Sequence, residues 1–274
     1  MHGAEWVNII FFSSFWALAW LRPLEHRRRI DVAKIGAAGI VLSGGPPLLN
    51  TVLPLTAVSF LRDWLPVLLM LMVYWQAGRF SQTPNEKFQA LLLKLDRKVL
   101  GPLLRSRANP WNHSWTINYL EFVYLLCYPL VPLGVGILYL ASKQSYVSTY
   151  WETVLPSTYL CYVLLPFAQT LPPRMISADP YRGPGLGRMS RVNLRILQQA
   201  SIQVNTFPSA HVAATMAASL ALIRFDRIAG LVFLWLSISI AVSVAVCRYH
   251  YAADSLLAIL LATGISLLQS FWVY

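Results

Sequence analysis

Charged side chains are scarce in this sequence of 274 residues, at 12% of the total against 57% for hydrophobic residues. An average soluble domain has about 25% charged residues, so the composition excludes an ordinary soluble protein. Cysteine is also scarce: Cys127, Cys161 and Cys247 all lie in apolar stretches and show no pairing or metal-ligand spacing. We therefore expect no disulfide framework and no cysteine-based metal site. The composition favours an all-α protein that crosses a membrane several times.

Acidic residues are few as well. The sequence has 11 Asp and Glu residues against 22 Lys and Arg residues, which gives a formal net charge of +11. The carboxylates do not cluster in the way that a magnesium site requires, so we expect no metal ion and no cofactor. The basic residues are concentrated beside apolar stretches, which favours a membrane as the partner and no nucleic acid. The sequence indicates no oligomeric state.

Eight apolar stretches are predicted to form membrane spans, because a helix needs about 20 residues to cross the hydrocarbon core. They are Trp6–Leu21, Ile35–Leu55, Trp64–Ala77, Ile117–Ala141, Tyr150–Thr170, Ser209–Ile223, Ile228–Cys247 and Ala252–Val273. The second is interrupted by Gly44-Gly45-Pro46-Pro47, which predicts a kink or a re-entrant segment. Arg62 and Asp63 separate it from the third. The first lacks a preceding basic segment and a small-residue cleavage site, so we interpret it as a retained span rather than a signal peptide.

The stretches divide the chain into N-terminal spans in residues 1–78, a basic amphipathic segment in 79–116 and a core in 117–274. In the middle segment, apolar residues recur at helical spacing between Lys and Arg residues. This pattern is typical of a helix that lies in the membrane interface. The alternative is a connector that packs on the protein itself.

Basic residues are distributed unequally between the two sides of the membrane, with 17 of the 22 on one side and four on the other. The apolar stretches predict an integral multi-pass protein of the cell membrane. The positive-inside rule predicts that its basic side, on which His211 and His250 are expected to lie, faces the cytoplasm. Glu121, early in the fourth stretch, either pairs with an arginine or lies at the interface. Four arginines of residues 175–207 are predicted to contact lipid headgroups: Arg182, Arg188, Arg191 and Arg195.

Two polar segments stand at the mouths of apolar stretches, at residues 205–211 and 248–254. Two crossings separate them, so the chain leaves one membrane face and returns to it. His211 and His250 are therefore predicted to lie at the same face, on neighbouring helix ends. Ionisable groups at membrane depth are functional by default, and these two segments are the predicted active site.

The first segment has the features of a helix start. Pro208 suits the first helical position, and Asn205 or Thr206 can cap the helix. The backbone N–H groups of Ser209 and Ala210 would then point out of the helix, where they and the helix dipole bind phosphate. The Ser209 hydroxyl is a further donor.

The second segment supplies a nucleophile and its partner. His250 and Asp254 are four residues apart and share a face of one helical turn, so the carboxylate can hold one ring nitrogen and leave the other free to attack. His211 is the candidate general acid for the leaving oxygen. Arg174 and Arg248 can bind phosphate oxygens in fork geometry, which supplies the positive charge that a metal ion supplies elsewhere.

These motifs resemble those of the type-2 phosphatidic acid phosphatase superfamily, which shares its site with vanadium haloperoxidases. The second family motif, Pro-Ser-Gly-His, is matched by residues 208–211, with Ala210 in place of glycine. The third ends in a histidine followed four residues later by aspartate, as in His250 and Asp254. The resemblance covers about residues 115–273.

Other positions depart from the family pattern. Pro172-Pro173-Arg174 resembles the end of the first motif, but Phe167 stands where the family has lysine. Val244 stands where the third motif has arginine, and Arg248 lies two residues before His250 instead. The form Arg-x-His-Tyr-x-x-Asp is similar to the branch that includes inositol phosphorylceramide and sphingomyelin synthases.

The resemblance implies a six-helix phosphatase-type core with about two additional N-terminal spans. It also implies that His250 is the nucleophile, that Asp254 orients it and that His211 is the acid. The residues implied to bind phosphate are Arg174, Ser209, Ala210 and Arg248.

The expected function is metal-independent hydrolysis of a membrane lipid phosphate or prenyl diphosphate through a phosphohistidine. The same residues would serve a transferase that passes a phosphoryl headgroup to another lipid, so the motifs do not separate these two enzymes. A third interpretation is a non-catalytic transporter or scaffold, although no inverted repeat is visible in the sequence.

Overall fold

The computed structural model describes residues 2–102, 114–176 and 187–272. Within these ranges the chain forms eleven α-helices and no strand, which confirms the all-α prediction. The helices are α1 Gly3–Leu21, α2 His26–Gly44, α3 Leu55–Gly78, α4 Glu86–Val99, α5 Ser114–Leu125, α6 Cys127–Leu140, α7 Val147–Leu164, α8 Arg188–Ala200, α9 Ala210–Phe225, α10 Arg227–Val246 and α11 Ala252–Trp272. Short 3₁₀ turns occur at Pro46–Thr51, Gln144–Tyr146 and Pro173–Met175.

The predicted bounds of the second and third spans were wrong. α2 begins at His26. It ends at Gly44 because Pro46 and Pro47, which follow, have no backbone N–H with which to continue a helix. α3 begins at Leu55 and includes Arg62 and Asp63, which the sequence analysis placed between spans. Both charged residues have partners: Arg62 pairs with Glu5 at 2.6 Å, and Asp63 accepts a hydrogen bond from Tyr139 at 2.7 Å.

The described helices include five that are individually long and apolar enough to span a membrane, and six when one bent pair counts as a single span. This pattern shows an integral multi-pass membrane protein. Two of the eight predicted spans, those at α7 and α9, are not among these long apolar helices. Both helices lie in the centre of the bundle, where most of their residues face other helices instead of lipid.

α9 forms the centre of the core and packs against α6, α7, α10 and α11. It has 16 residues, many of them alanine, and small side chains allow neighbouring helices to approach closely. α9 and α10 are joined at Asp226, which caps α10 by accepting a hydrogen bond from the Ala229 N–H at 3.1 Å. This tight connection makes α9 and α10 an antiparallel pair and returns the chain to the face at which α9 begins.

The predicted fourth span is broken into two helices. α5 and α6 meet at 57° around Leu126. Pro129 lies in the first turn of α6 and lacks the N–H that a continuous helix would need to bond residue 125. The bend places side chains from both helices, including Tyr124 and Tyr128, on the wall of one cavity.

Amphipathic helices occupy two places on the predicted basic side. α4 lies within the predicted interfacial segment, and it packs against α11 through residues that include Leu92 and Asp96. α8 lies within residues 175–207, whose arginines were predicted to contact lipid headgroups. Its Arg188, Arg191 and Arg195 are exposed, while Arg182 lies outside the described residues.

Candidate active site

A cavity of about 950 Å³ lies between α3, α6 and α8 and reaches the loops that flank α9 and α10. Most of its wall is apolar or aromatic and includes Val67, Leu71 and Trp75 of α3. Its polar lining includes Arg174, His211 and His250. A cavity of this size and character suits a ligand that joins a long apolar part to a small polar group.

The two histidines of the predicted site are neighbours. His211 lies in the first turn of α9 and His250 lies between α10 and α11, and their ring centroids are 6.1 Å apart. Although 39 residues separate them in sequence, the α9–α10 pair returns the second ring to the first. The structure thus brings both rings to one cavity.

His250 is held by Asp254. The Nδ1 atom lies 3.0 Å from Oδ2 of the carboxylate, which also accepts the Tyr251 N–H at 3.2 Å. Asp254 is fully buried and His250 is 5% exposed. Burial lowers the pKa of His250 to about 3, which favours the neutral ring. When the Nδ1–H group donates a hydrogen bond to Asp254, Nε2 is unprotonated and carries a free lone pair.

The segment before α9 is tied to the rest of the site through its backbone. The Ser209 N–H donates to the Asp254 carbonyl at 3.2 Å, and the Ala210 N–H donates to Thr206 Oγ1 at 3.1 Å. Asn205 donates to the Tyr249 carbonyl at 3.1 Å. The amides of Ser209 and Ala210, predicted to face a phosphate, therefore already have acceptors. The reason is that α9 begins at Ala210 rather than at Pro208, so these amides close the turn before the helix.

Several buried polar atoms around the histidines have no hydrogen-bond partner among the described residues. They are Arg174 Nη1, Ser209 Oγ, His211 Nδ1 and Asp254 Oδ1. Buried polar groups in proteins are almost always hydrogen-bonded. The first three can all donate, so the arrangement is suited to an anionic group. Of these residues only Arg174 and His211 line the cavity, while Ser209 and Asp254 are fully buried.

Arg174 is positioned by the 3₁₀ turn Pro173–Met175 and by Tyr249. Its N–H donates to the Arg248 carbonyl at 3.1 Å, and its guanidinium carbon lies 4.0 Å from the centre of the Tyr249 ring. This residue was predicted from a weak motif. The structure places its charged group at the cavity with the two histidines.

Arg248 is not among the residues that line the cavity, and its predicted contact with phosphate stays a prediction. Its Nη1 donates to Asp96 of α4, and both side chains are 1% exposed. The Arg248 backbone has a left-handed φ of 62°. Asp96 also accepts the Ala252 N–H at the start of α11, at 2.9 Å. The physical reason is electrostatic: a guanidinium buried here requires a carboxylate, and α4 supplies it.

Sequence analysis missed the aromatic residues of the site. Tyr124 and Tyr249 stack in parallel with centroids 3.9 Å apart, and Tyr128 approaches the His211 ring edge-on at 5.5 Å. Burial raises the pKa of Tyr249, so its hydroxyl remains a donor. The hydroxyl donates to Glu121 Oε2 at 2.6 Å. The only sequence signal for this network was the carboxylate of Glu121 in an apolar stretch.

In the ranges that the structure covers, no group of three or more His, Cys, Asp or Glu side chains is arranged to hold a metal ion.

Comparison with known proteins gives one match. Residues 90–268, more than half of the chain, match the family model of the PAP2 superfamily. The matched range contains every predicted site residue and begins inside α4. Searches of curated proteins and of solved structures give no significant match. The match does not test the resemblance to inositol phosphorylceramide and sphingomyelin synthases, which stays a prediction.

Proposed function

The chain belongs to the PAP2 superfamily, and on that premise we propose that it is a metal-independent phosphatase of lipid phosphates or lipid diphosphates. Membership in the superfamily indicates phosphatase-type chemistry on lipid phosphates. The observation that carries the proposal is the arrangement of the two imidazoles. One is held by a buried carboxylate and the other lies 6.1 Å away, on the wall of the same apolar cavity.

In the first step, Nε2 of His250 attacks phosphorus and the bond from phosphorus to the lipid oxygen breaks. His211, which is proposed to take a proton when the anionic substrate binds, gives that proton to the departing oxygen. A lipid monophosphate then leaves as a neutral alcohol, and a lipid diphosphate leaves as the lipid monophosphate. Asp254 stabilises the positive charge that develops on the His250 ring. The products of this step are a phosphohistidine and a dephosphorylated lipid.

In the second step, water attacks the phosphohistidine and the bond from Nε2 to phosphorus breaks. His211, now without its proton, takes one from that water. Inorganic phosphate leaves, and both histidines return to their starting states. A lipid hydroxyl in place of water would make the same site a transferase.

Arg174, which lines the cavity, and the Ser209 hydroxyl, which precedes the cavity-lining residues Ala210 and His211, are the proposed phosphate ligands. Both present buried polar atoms without a partner among the described residues, and a guanidinium binds phosphate oxygens strongly. Arg248 is proposed to act indirectly, because its charge is engaged by Asp96. Ala210 is proposed to line the cavity without binding phosphate, because its backbone N–H already donates to Thr206.

The cavity gives the proposed substrate its apolar half. Side chains of α3, α6 and α8 line it, so a lipid tail is proposed to lie along these helices while its phosphate meets the histidines. A prenyl diphosphate has the same division between a chain and an anionic end. We further propose that the site faces the cytoplasm of the cell, as the distribution of basic residues predicts.

The test is release of inorganic phosphate from a panel of lipid monophosphates and diphosphates by detergent-purified protein, with a metal chelator present. We expect release from at least one substrate, and its loss in His250→Ala. A radiolabelled phosphoryl group should transfer to wild-type protein but not to that variant. Transfer of label to an added lipid alcohol without free phosphate would identify a transferase instead. Activity that survives His250→Ala, or that requires magnesium, would contradict the mechanism.

A further inference from the structure

Glu121 is a buried carboxylate on α5 whose oxygens meet three side-chain donors. The residue is 2% exposed. Oε1 accepts from Ser190 at 2.9 Å, and Oε2 accepts from Asn193 and from the Tyr249 hydroxyl, each at 2.6 Å. Ser190 and Asn193 belong to α8, and Tyr249 belongs to the loop between α10 and α11 that carries His250. A single carboxylate therefore joins the cavity wall to the active site.

The ring of Tyr249 is enclosed on both faces. Tyr124 stacks on it at 3.9 Å with an angle of 4° between the planes, and the Arg174 guanidinium carbon lies 4.0 Å from its centre. Two groups this close to one ring centre cannot occupy the same face, so Arg174 lies on the face opposite Tyr124. The location of the guanidinium is thus fixed by the location of the ring.

The carboxylate also affects the strength of this contact. A phenol that donates to a carboxylate has a more electron-rich ring, and the attraction of a cation to the ring face is electrostatic. The negative charge of Glu121 adds to that attraction. Arg174 nevertheless keeps Nη1 without a hydrogen-bond partner, so the arrangement holds the guanidinium in place while leaving a donor for a ligand.

We propose that Glu121 is a positioning residue, which fixes Tyr249 and through it aims Arg174 at the phosphoryl group. This inference rests on the proposed function, because it takes the anion at Arg174 to be the substrate phosphate. It assigns Glu121 no contact with the substrate. The competing explanation is that Glu121 only anchors α8 through Ser190 and Asn193.

Inhibition by orthovanadate, an anion that resembles phosphate, separates the two explanations without depending on turnover rate. We expect Glu121→Gln and Tyr249→Phe to weaken vanadate inhibition, with about a tenfold increase in the inhibition constant for Glu121→Gln. Tyr249→Phe keeps the ring beneath Arg174 and should have the smaller effect. Arg174→Ala should also weaken inhibition, and adding Glu121→Gln to it should change the constant less than twofold, because both changes remove one interaction.

The matched control is the double variant Ser190→Ala, Asn193→Ala, which removes the α8 donors and leaves the Tyr249 hydrogen bond. It should leave the inhibition constant within about twofold of wild type. Tyr119→Phe controls for loss of a phenol hydrogen bond on the same helix, since Tyr119 donates to Ser239 at 3.0 Å and does not line the cavity. Each variant is compared only if it elutes as a monodisperse peak with an unchanged melting temperature. Should Glu121→Gln fail that requirement, Tyr249→Phe alone decides.

Three results would overturn the inference. The first is an unchanged inhibition constant in Tyr249→Phe, and the second is additivity of Glu121→Gln with Arg174→Ala. The third is that the α8 double variant reproduces the effect of Glu121→Gln. Absence of vanadate binding to the wild-type protein is distinguishable from all three, because it would contradict the phosphate site itself.

Discussion

Asp96 of α4 and Arg248 of the loop after α10 form an ion pair that is 1% exposed at both side chains. The sequence places the first residue in a basic amphipathic segment and the second two residues before His250. Their contact shows that α4 packs into the same core as the candidate site. Since Asp96 also accepts the Ala252 N–H, one carboxylate holds the loop that carries His250 at both of its ends.

Asp96→Asn should therefore destabilise the protein. Removing one partner of a buried ion pair leaves an uncompensated charge and typically costs about 3–5 kcal/mol. We expect a lower melting temperature in detergent and a loss of activity that accompanies it. As a control, Asp31→Asn removes a carboxylate from the partly exposed pair with Arg79 and should change the melting temperature little. Equal melting temperatures for the two variants would show that the buried pair does not stabilise the loop.

His211→Gln should slow catalysis in a manner that depends on the leaving group. General acid catalysis contributes about 10²–10⁴-fold, and that contribution is needed only when the departing oxygen is a poor leaving group. We expect a large fall in kcat for an alkyl phosphate and a much smaller fall for p-nitrophenyl phosphate. The ratio of the two rates is the measurement. An equal loss for both substrates would assign His211 a role other than proton donor.

The titration of His250 should make the fold sensitive to acid. Burial lowers the pKa of His250 to about 3, below the value of about 6.5 for an unfolded histidine. Between these values the unfolded chain binds the extra proton, so stability falls as pH falls from about 6.5. The slope from one such group approaches about 1.4 kcal/mol per pH unit. The groups facing this ring are Asp254 and His211.

Thermal unfolding from pH 8 to pH 4 would measure this effect. His250→Gln removes the titrating ring, so its melting temperature should fall less on acidification than that of the wild-type protein. Parallel curves for both proteins would show that His250 does not have the lowered pKa on which the neutral nucleophile depends.

Filling the cavity should select against long substrates. Leu71 lines the cavity, whereas Leu68, which is similarly exposed on the same helix, does not line it. Leu71→Trp should raise KM for long-chain lipid phosphates and leave a short-chain phosphate unaffected. Leu68→Trp adds the same bulk outside the cavity and should change neither. If the Leu71 variant treats all chain lengths alike, the tail does not lie along α3.

Much of the fold follows from local sequence. Long apolar stretches predict a multi-pass helical protein, because backbone groups in lipid must bond within a helix. Two crossings between the polar segments predict that His211 and His250 share a face. The spacing of four residues predicts that Asp254 can reach His250. Each of these statements depends only on helix geometry and on the thickness of the hydrocarbon core.

Other features depend on contacts between distant parts of the chain. Arg248 has its charge held by Asp96, 152 residues away in sequence, and no local pattern links them. Arg62 and Asp63 continue α3 because Glu5 and Tyr139 satisfy them. α9 has only 16 residues and is shorter than the helices that could each span a membrane. Its position in the centre of the bundle decides which residues surround it.

The sequence by itself therefore determined that this chain crosses a membrane and carries two histidines and an aspartate to one surface, since helical periodicity and span length are local properties. The tertiary structure alone decided which arginine reaches the cavity. That outcome depends on where carboxylates and aromatic rings from other helices lie. Asp96 binds one guanidinium and Tyr249 holds the other, and only the folded chain brings those partners into contact.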